Sequence, residues 1–178
     1  MILYTFQTIE AWNNAHSIGK FIADPKEVCK QWSNWSSILE ANAYMRSKMY
    51  EKLKFSGYPM WTWLKKPDLR SYGCKDQICF KIDIPAERCL ISNFNMYNFV
   101  INNDYLSLSE KEYTNFDAIQ VTPTEKEHSW RHIFDLDLPK NKLQARWLGS
   151  KENQIYQVCV DEIYISEIVK VIRWPKIK

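Results

Sequence analysis

The stretch YPMWTWLKKPDLR, residues 58–70, sets Trp61 and Trp63 one residue apart, then Lys65 and Lys66, then Pro-Asp-Leu-Arg ending at Arg70. On a strand the two tryptophans share a face, where indole rings can stack on a nicotinamide or a nucleobase. They can equally fill a core against Trp32 and Trp35. Arg70 has the forked guanidinium that clasps a phosphate in bidentate fashion, or it pairs internally with Asp68. Together with Lys65 and Lys66 it also makes the set that would track a nucleic-acid backbone. His128 and His132 are four apart and share a face if helical, with Glu127 alongside, but no third ligand follows at a diagnostic spacing. That pattern fits a solvated helix face better than a metal site. Asp135 and Asp137 project to one side of an extended segment, a pairing that can hold magnesium and more often caps a turn. No glycine-rich phosphate loop, no G-x-S-x-G elbow and no Cys–His nucleophile pair is present.

The elements that must position these residues follow from periodicity and punctuation. Ile2 to Gln7 alternates and is rich in β-formers, so it reads as a strand. Thr8 is placed to cap a short helix from Ile9 to about Ser17, with Gly19 as its left-handed stop. Asp24, Pro25 and Glu27 open a helical stretch from about 25 to 55, either one long amphipathic helix or two abutting ones, ending before Gly57. Trp32 and Trp35 lie on its apolar side and are expected to pack on the strand Pro59 to Leu64. Gln77 to Ile84 sends Ile78, Phe80, Ile82 and Ile84 one way and Lys81 and Asp83 the other, a half-buried strand. A short strand over ERCLISNF and a short helix over NFNMYNFVINN follow. Residues 107 to 127 are polar and without pattern, and read as a long surface insertion. IYQVCV is the last strong strand. Strand, helices, then several strands predict an α+β fold, a single domain over 1–178 with a small mixed β-sheet and a long N-terminal helical segment.

Composition narrows the classes. With 178 residues, 46% hydrophobic and 25% charged, the chain can bury a real core. Eight tryptophans and ten tyrosines strengthen both the core and the stacking readings. A net charge of +3 is small for a dedicated nucleic-acid domain. No apolar run approaches the roughly 20 residues of a membrane span, and MILYTFQTIEAW lacks the plan of a secretory signal. A cytoplasmic protein with no membrane partner is therefore expected. Its five cysteines (Cys29, Cys74, Cys79, Cys89, Cys159) are then reduced and mostly buried, without the paired spacing of a zinc site.

Five segments in order, LYTFQTIEAW, PMWTWLKKPDLR, FKIDIPAERCLISNFNMYNFVINNDYL, SWRHIFDL and IYQVCVDEIYISEIVKV, resemble an uncharacterised bacterial family of domains of unknown function over nearly the whole chain. The tryptophan-proline-aspartate-leucine-arginine stretch is the most specific part. A second, weaker resemblance is to the ADP-ribosyltransferase fold, including the DarT-like enzymes that modify DNA. In that likeness Tyr4 and Thr5 stand on the first strand, Gly19 ends the first helix, Trp61 and Trp63 form the aromatic segment, and Glu162 follows the last strand. The likeness implies NAD as substrate and transfer to a macromolecule, nucleic acid or protein. It implies a role in bacterial conflict such as toxin–antitoxin pairs or phage defence, with a regulatory partner. Glu162 would be the catalytic carboxylate, stabilising the cationic sugar as the nicotinamide bond breaks. Tyr4, Thr5, Gln7, Trp61, Trp63, Arg70 and Gln157 would bind the cofactor. The first strand carries Thr5 and Gln7 where those enzymes carry His or Arg. The alternative is a non-enzymatic module that binds protein or nucleic acid. In that reading Glu162 is a solvated acid beside Asp161, and Thr5, Gln7 and Gln157 satisfy the sheet.

Overall fold

The structure is a computed structural model that describes residues 1–31, 36–66, 77–118, 121–138 and 153–173. The fold class is α+β. Six strands form one sheet in the order β5-β6-β3-β1-β4-β8: β5 Cys89–Asn93, β6 Tyr156–Val160, β3 Met60–Trp63, β1 Ile2–Thr8, β4 Gln77–Asp83 and β8 Ile168–Arg173. A second, two-stranded sheet joins β2 Lys20–Phe21 to β7 Ile163–Tyr164. The expected mixed sheet is antiparallel in every pairing whose register is defined. The helices are α1 Ile9–Ile18, α2 Pro25–Gln31, α3 Ser36–Leu53, α4 Phe94–Ile101, α5 Glu110–Ala118 and α6 Pro123–Ser129. None of the described helices is long and apolar enough to cross a membrane.

The chain divides into two compact units. The first gathers Met1–Gln31, Tyr44–Leu90 and Gln157–Lys178, and the second Trp32–Ala43 and Ile91–Tyr156.

In the first unit, local chemistry sets the path. The Thr8 hydroxyl accepts from the Ala11 amide at 3.0 Å and starts α1. Gly19, at φ +83°, ends it and returns its own amide to the Ala15 carbonyl at 2.7 Å. The carboxylate of Asp24 accepts from the Lys26 amide at 2.8 Å at the start of α2. The long helical stretch is two helices, and Trp32 and Trp35 lie outside the described residues. β1 runs in register along β4 from Ile2 opposite Asp83 to Thr8 opposite Gln77. Ile78, Phe80, Ile82 and Ile84 are all fully buried. So is Cys79, so β4 is half-buried only toward Lys81 and Asp83. Trp12 of α1 stacks on Phe80 with ring centroids 4.9 Å apart, and Phe21 closes on the same ring at 5.7 Å, which seats α1 and β2 on that face.

The second unit corrects the reading of residues 107 to 127 as a patternless insertion, because α5 and α6 occupy it. Their hydrophobic periodicity is weak, and their starts are fixed by side-chain caps instead. Ser109 accepts from the Glu112 amide at 3.1 Å while Glu112 accepts from the Leu108 amide at 2.8 Å. Thr122 and Glu125 form a reciprocal capping box with Pro123 in the first turn. These bonds satisfy amides that the first helical turn leaves without partners. Beyond α6 the chain tightens into a 3-10 turn over Trp130–Phe134, which buries Trp130 and Ile133. The Trp130 indole donates to the Asp104 carbonyl at 2.7 Å, and the Leu106 amide donates to Ser129 at 2.9 Å.

Candidate functional site

Glu162 sits in the link between β6 and β7, two residues past Val160. The left-handed turn at Gly19 directs the chain into β2, and the β2–β7 register places Lys20 opposite Tyr164. Lys20 Nζ reaches Glu162 Oε2 at 2.5 Å, and the Tyr164 hydroxyl donates to Glu162 Oε1. Both carboxylate oxygens are thus engaged. Arg88, at the end of a 3-10 turn over Ala86–Arg88, completes the cluster. Its Nη2 donates to Asp161 and to the Glu162 carbonyl, both at 2.7 Å, its Nε donates to Asp161 at 3.0 Å, and its Nη1 donates to Glu167. The Tyr164 ring carries the Arg88 guanidinium at 5.2 Å and the Lys20 ammonium at 5.6 Å. Two cations therefore face three carboxylates, and both cations are committed.

The electrostatics follow from these bonds. Burial raises the Glu162 carboxyl, but the bonds from Lys20 and Tyr164 outweigh it and hold the group below the usual carboxylate value. The bond to Glu162 raises both Lys20 and the Tyr164 phenol. The bond to Asp161 raises the Arg88 guanidinium further. For Glu162, Lys20, Tyr164 and Arg88 the shifts all favour the paired charge state, which suits a fastening more than a proton-transfer group.

The remaining sequence-predicted residues fall on opposite faces of the large sheet. Tyr4 stands opposite Trp63, and Trp63 opposite Gln157, so these three share a face across β1, β3 and β6. Trp61, two residues from Trp63, is on that face and half-buried. Thr5 and Gln7 alternate to the other face. Thr5 is 1% exposed and donates to the Trp61 carbonyl at 3.1 Å, and Gln7 Nε2 donates to Thr5 at 3.2 Å. Gln157 is buried as well. Lys65 and Lys66 are exposed, and Arg70, with Pro67 and Asp68, lies outside the described residues. Cys79 and Cys159 are buried thiols, whereas Cys29 is exposed.

The second unit holds a cleft of about 690 Å³ walled by α5 on one side and by α6 and the following 3-10 turn on the other. Tyr105, Lys111, Glu112, His128, Arg131 and His132 line it. The two histidines do share this cleft, as their spacing suggests. Among the described residues, however, no group of three or more His, Cys, Asp or Glu side chains is arranged to hold a metal ion. Burial and then Arg131 lower the His132 imidazole, so it is neutral at pH 7. Burial and then the bond to Glu112 push the Tyr105 phenol up to about 12. The cleft escapes a sequence reading because it depends on α5 and α6. The signals that mark it are the two capping pairs, Ser109 with Glu112 and Thr122 with Glu125.

A family model described as a domain of unknown function, DUF3841, matches residues 2–126, and the chain belongs to that family. No curated protein and no solved structure matches the chain.

Proposed function

We propose that this DUF3841 member is a non-enzymatic binding module, in which Glu162 fastens the fold and recognition falls on the cleft of the second unit. The observation that carries this reading is the state of the Glu162 carboxylate, with Lys20 on one oxygen and Tyr164 on the other. A carboxylate that stabilises a cationic sugar must present an oxygen to it. Here each oxygen already has a donor, and the negative charge that would steady the sugar is already matched by Lys20. NAD also fits this cluster poorly, because its diphosphate needs uncommitted cations. Lys20 and Arg88 are both spent on carboxylates that outnumber them. Thr5, a first-strand candidate for holding NAD along with Tyr4 and Gln7, is buried and bonded to a backbone carbonyl.

The transferase reading keeps one observation of its own, the alignment of Tyr4, Trp63 and Gln157 on one sheet face. Calorimetric titration with NAD and a labelled-NAD transfer assay on cell extract separate the two readings. The binding-module reading expects no transfer of label and no NAD affinity that depends on Glu162. Label transfer that disappears in Glu162→Gln, with the fold intact, would establish the transferase and end this reading.

A further inference from the structure

We propose that the cleft walled by α5 and α6 receives a phosphate ester of roughly nucleotide size, held by Lys111 and Arg131. This deepens the binding-module reading and rests on it. The cleft volume, about 690 Å³, lies in the range of small-molecule sites, roughly 300–1,000 Å³. Its charges divide into two groups. The carboxylates are occupied by uncharged donors that build the helices. Glu112 takes the Tyr105 hydroxyl at 2.7 Å on one oxygen and the Leu108 amide at 2.8 Å on the other. Glu125 takes the Thr122 amide at 2.9 Å and hydroxyl at 2.7 Å, both on Oε2, and keeps its charge exposed at the edge of the cleft.

The cations are not occupied in this way. Neither Lys111 nor Arg131 has a carboxylate partner among the described residues, and Arg131 spends one Nη1 bond, at 3.3 Å, on the His128 carbonyl. Both side chains are exposed at the cleft. Two unspent positive charges match a phosphate monoester dianion, and the rest of the Arg131 fork can grip two of its oxygens. The imidazoles of His128 and His132 line the cleft beside them. The half-buried Tyr105 ring, its hydroxyl turned to Glu112, offers a wall for the organic part of the ester.

The test is calorimetric titration of the full chain with AMP, glucose 6-phosphate and inorganic phosphate, with adenosine as the uncharged control. AMP or glucose 6-phosphate should bind saturably, more weakly at higher salt, and adenosine should not bind. The tighter of the two esters tells a nucleotide from a sugar phosphate. Arg131→Ala and Lys111→Ala should each weaken binding about tenfold, with Arg131→Lys between wild type and Arg131→Ala. Melting temperatures should stay put, because both side chains are exposed and neither has a carboxylate partner among the described residues. The proposal is overturned if neither ester binds at millimolar concentration, if adenosine binds as well as AMP, or if the variants bind like wild type. These outcomes are independent of NAD turnover: a Glu162-dependent transfer would defeat the binding-module reading without altering the AMP titrations, and failure of the titrations would leave the Glu162 result standing.

Discussion

Removing the Arg88 side chain takes a cationic donor from three acceptors at once, Asp161, Glu167 and the Glu162 carbonyl, and leaves the two carboxylates only the Glu162 and Tyr164 amides. The Glu167 side chain is only 14% exposed, so water replaces its partner incompletely. Arg88→Ala should therefore cost about 3 kcal/mol, at the lower end for a broken buried pair, and urea unfolding would measure it. A cost near that of a surface ion pair, below about 1 kcal/mol, would mean that the cluster adds little. Glu162 was legible in the sequence as an acid at the end of a strong strand. Its role was not, because its partners come from far along the chain: Lys20 is 142 positions away and Arg88 is 74. No local pattern encodes such a meeting. Thr5 shows the same limit, since a threonine on a strand reads alike whether its hydroxyl meets a ligand or, as here, the Trp61 carbonyl.

Elements announced by a chemical start and stop were readable, and α1 is the plainest case. Thr8 and Gly19 do at its two ends what their types suggest. A Cβ added at Gly19 would meet nothing within 4 Å, so Gly19→Ala is opposed only by the left-handed backbone, at about 1–2 kcal/mol. A thermal melt should show that loss, and Gly19→Asn should lose less. β4 was readable for a different reason, the strict alternation that buries Ile78, Phe80, Ile82 and Ile84. α5 and α6 lack the apolar periodicity that marks a helix, and their signal lies only in their capping residues. Thr122→Ala removes the α6 box and should cost about 1 kcal/mol by chemical denaturation. No change would show that Pro123 and the packing of Trp130 hold that helix without the cap.

At the scale of the whole molecule the order of elements disclosed the α+β class but not the two units. The first unit is assembled from three separate segments, and its boundaries cut through α3, β5 and β6, where no linker or shift of composition marks them. The family match ends at residue 126, before β6, which lies inside the sheet between β5 and β3. A fragment of residues 1–126 would leave β3 without that neighbour and Arg88 without its acids. It should show no cooperative melt by circular dichroism, and a sharp transition would contradict the described sheet. The central claim, that Glu162 holds the fold together, is tested most directly by the global stability of wild type and Glu162→Gln across pH. The folded Glu162 carboxyl lies below its ordinary value of 4.5, so its contribution is complete above that pH and drains away as pH falls through the folded value. The variant should be less stable by about 2 kcal/mol at pH 7, with the gap closing as pH falls below 4.5. Equal or greater stability of the variant at pH 7, the usual result when a residue is kept for catalysis at the expense of stability, would contradict the account.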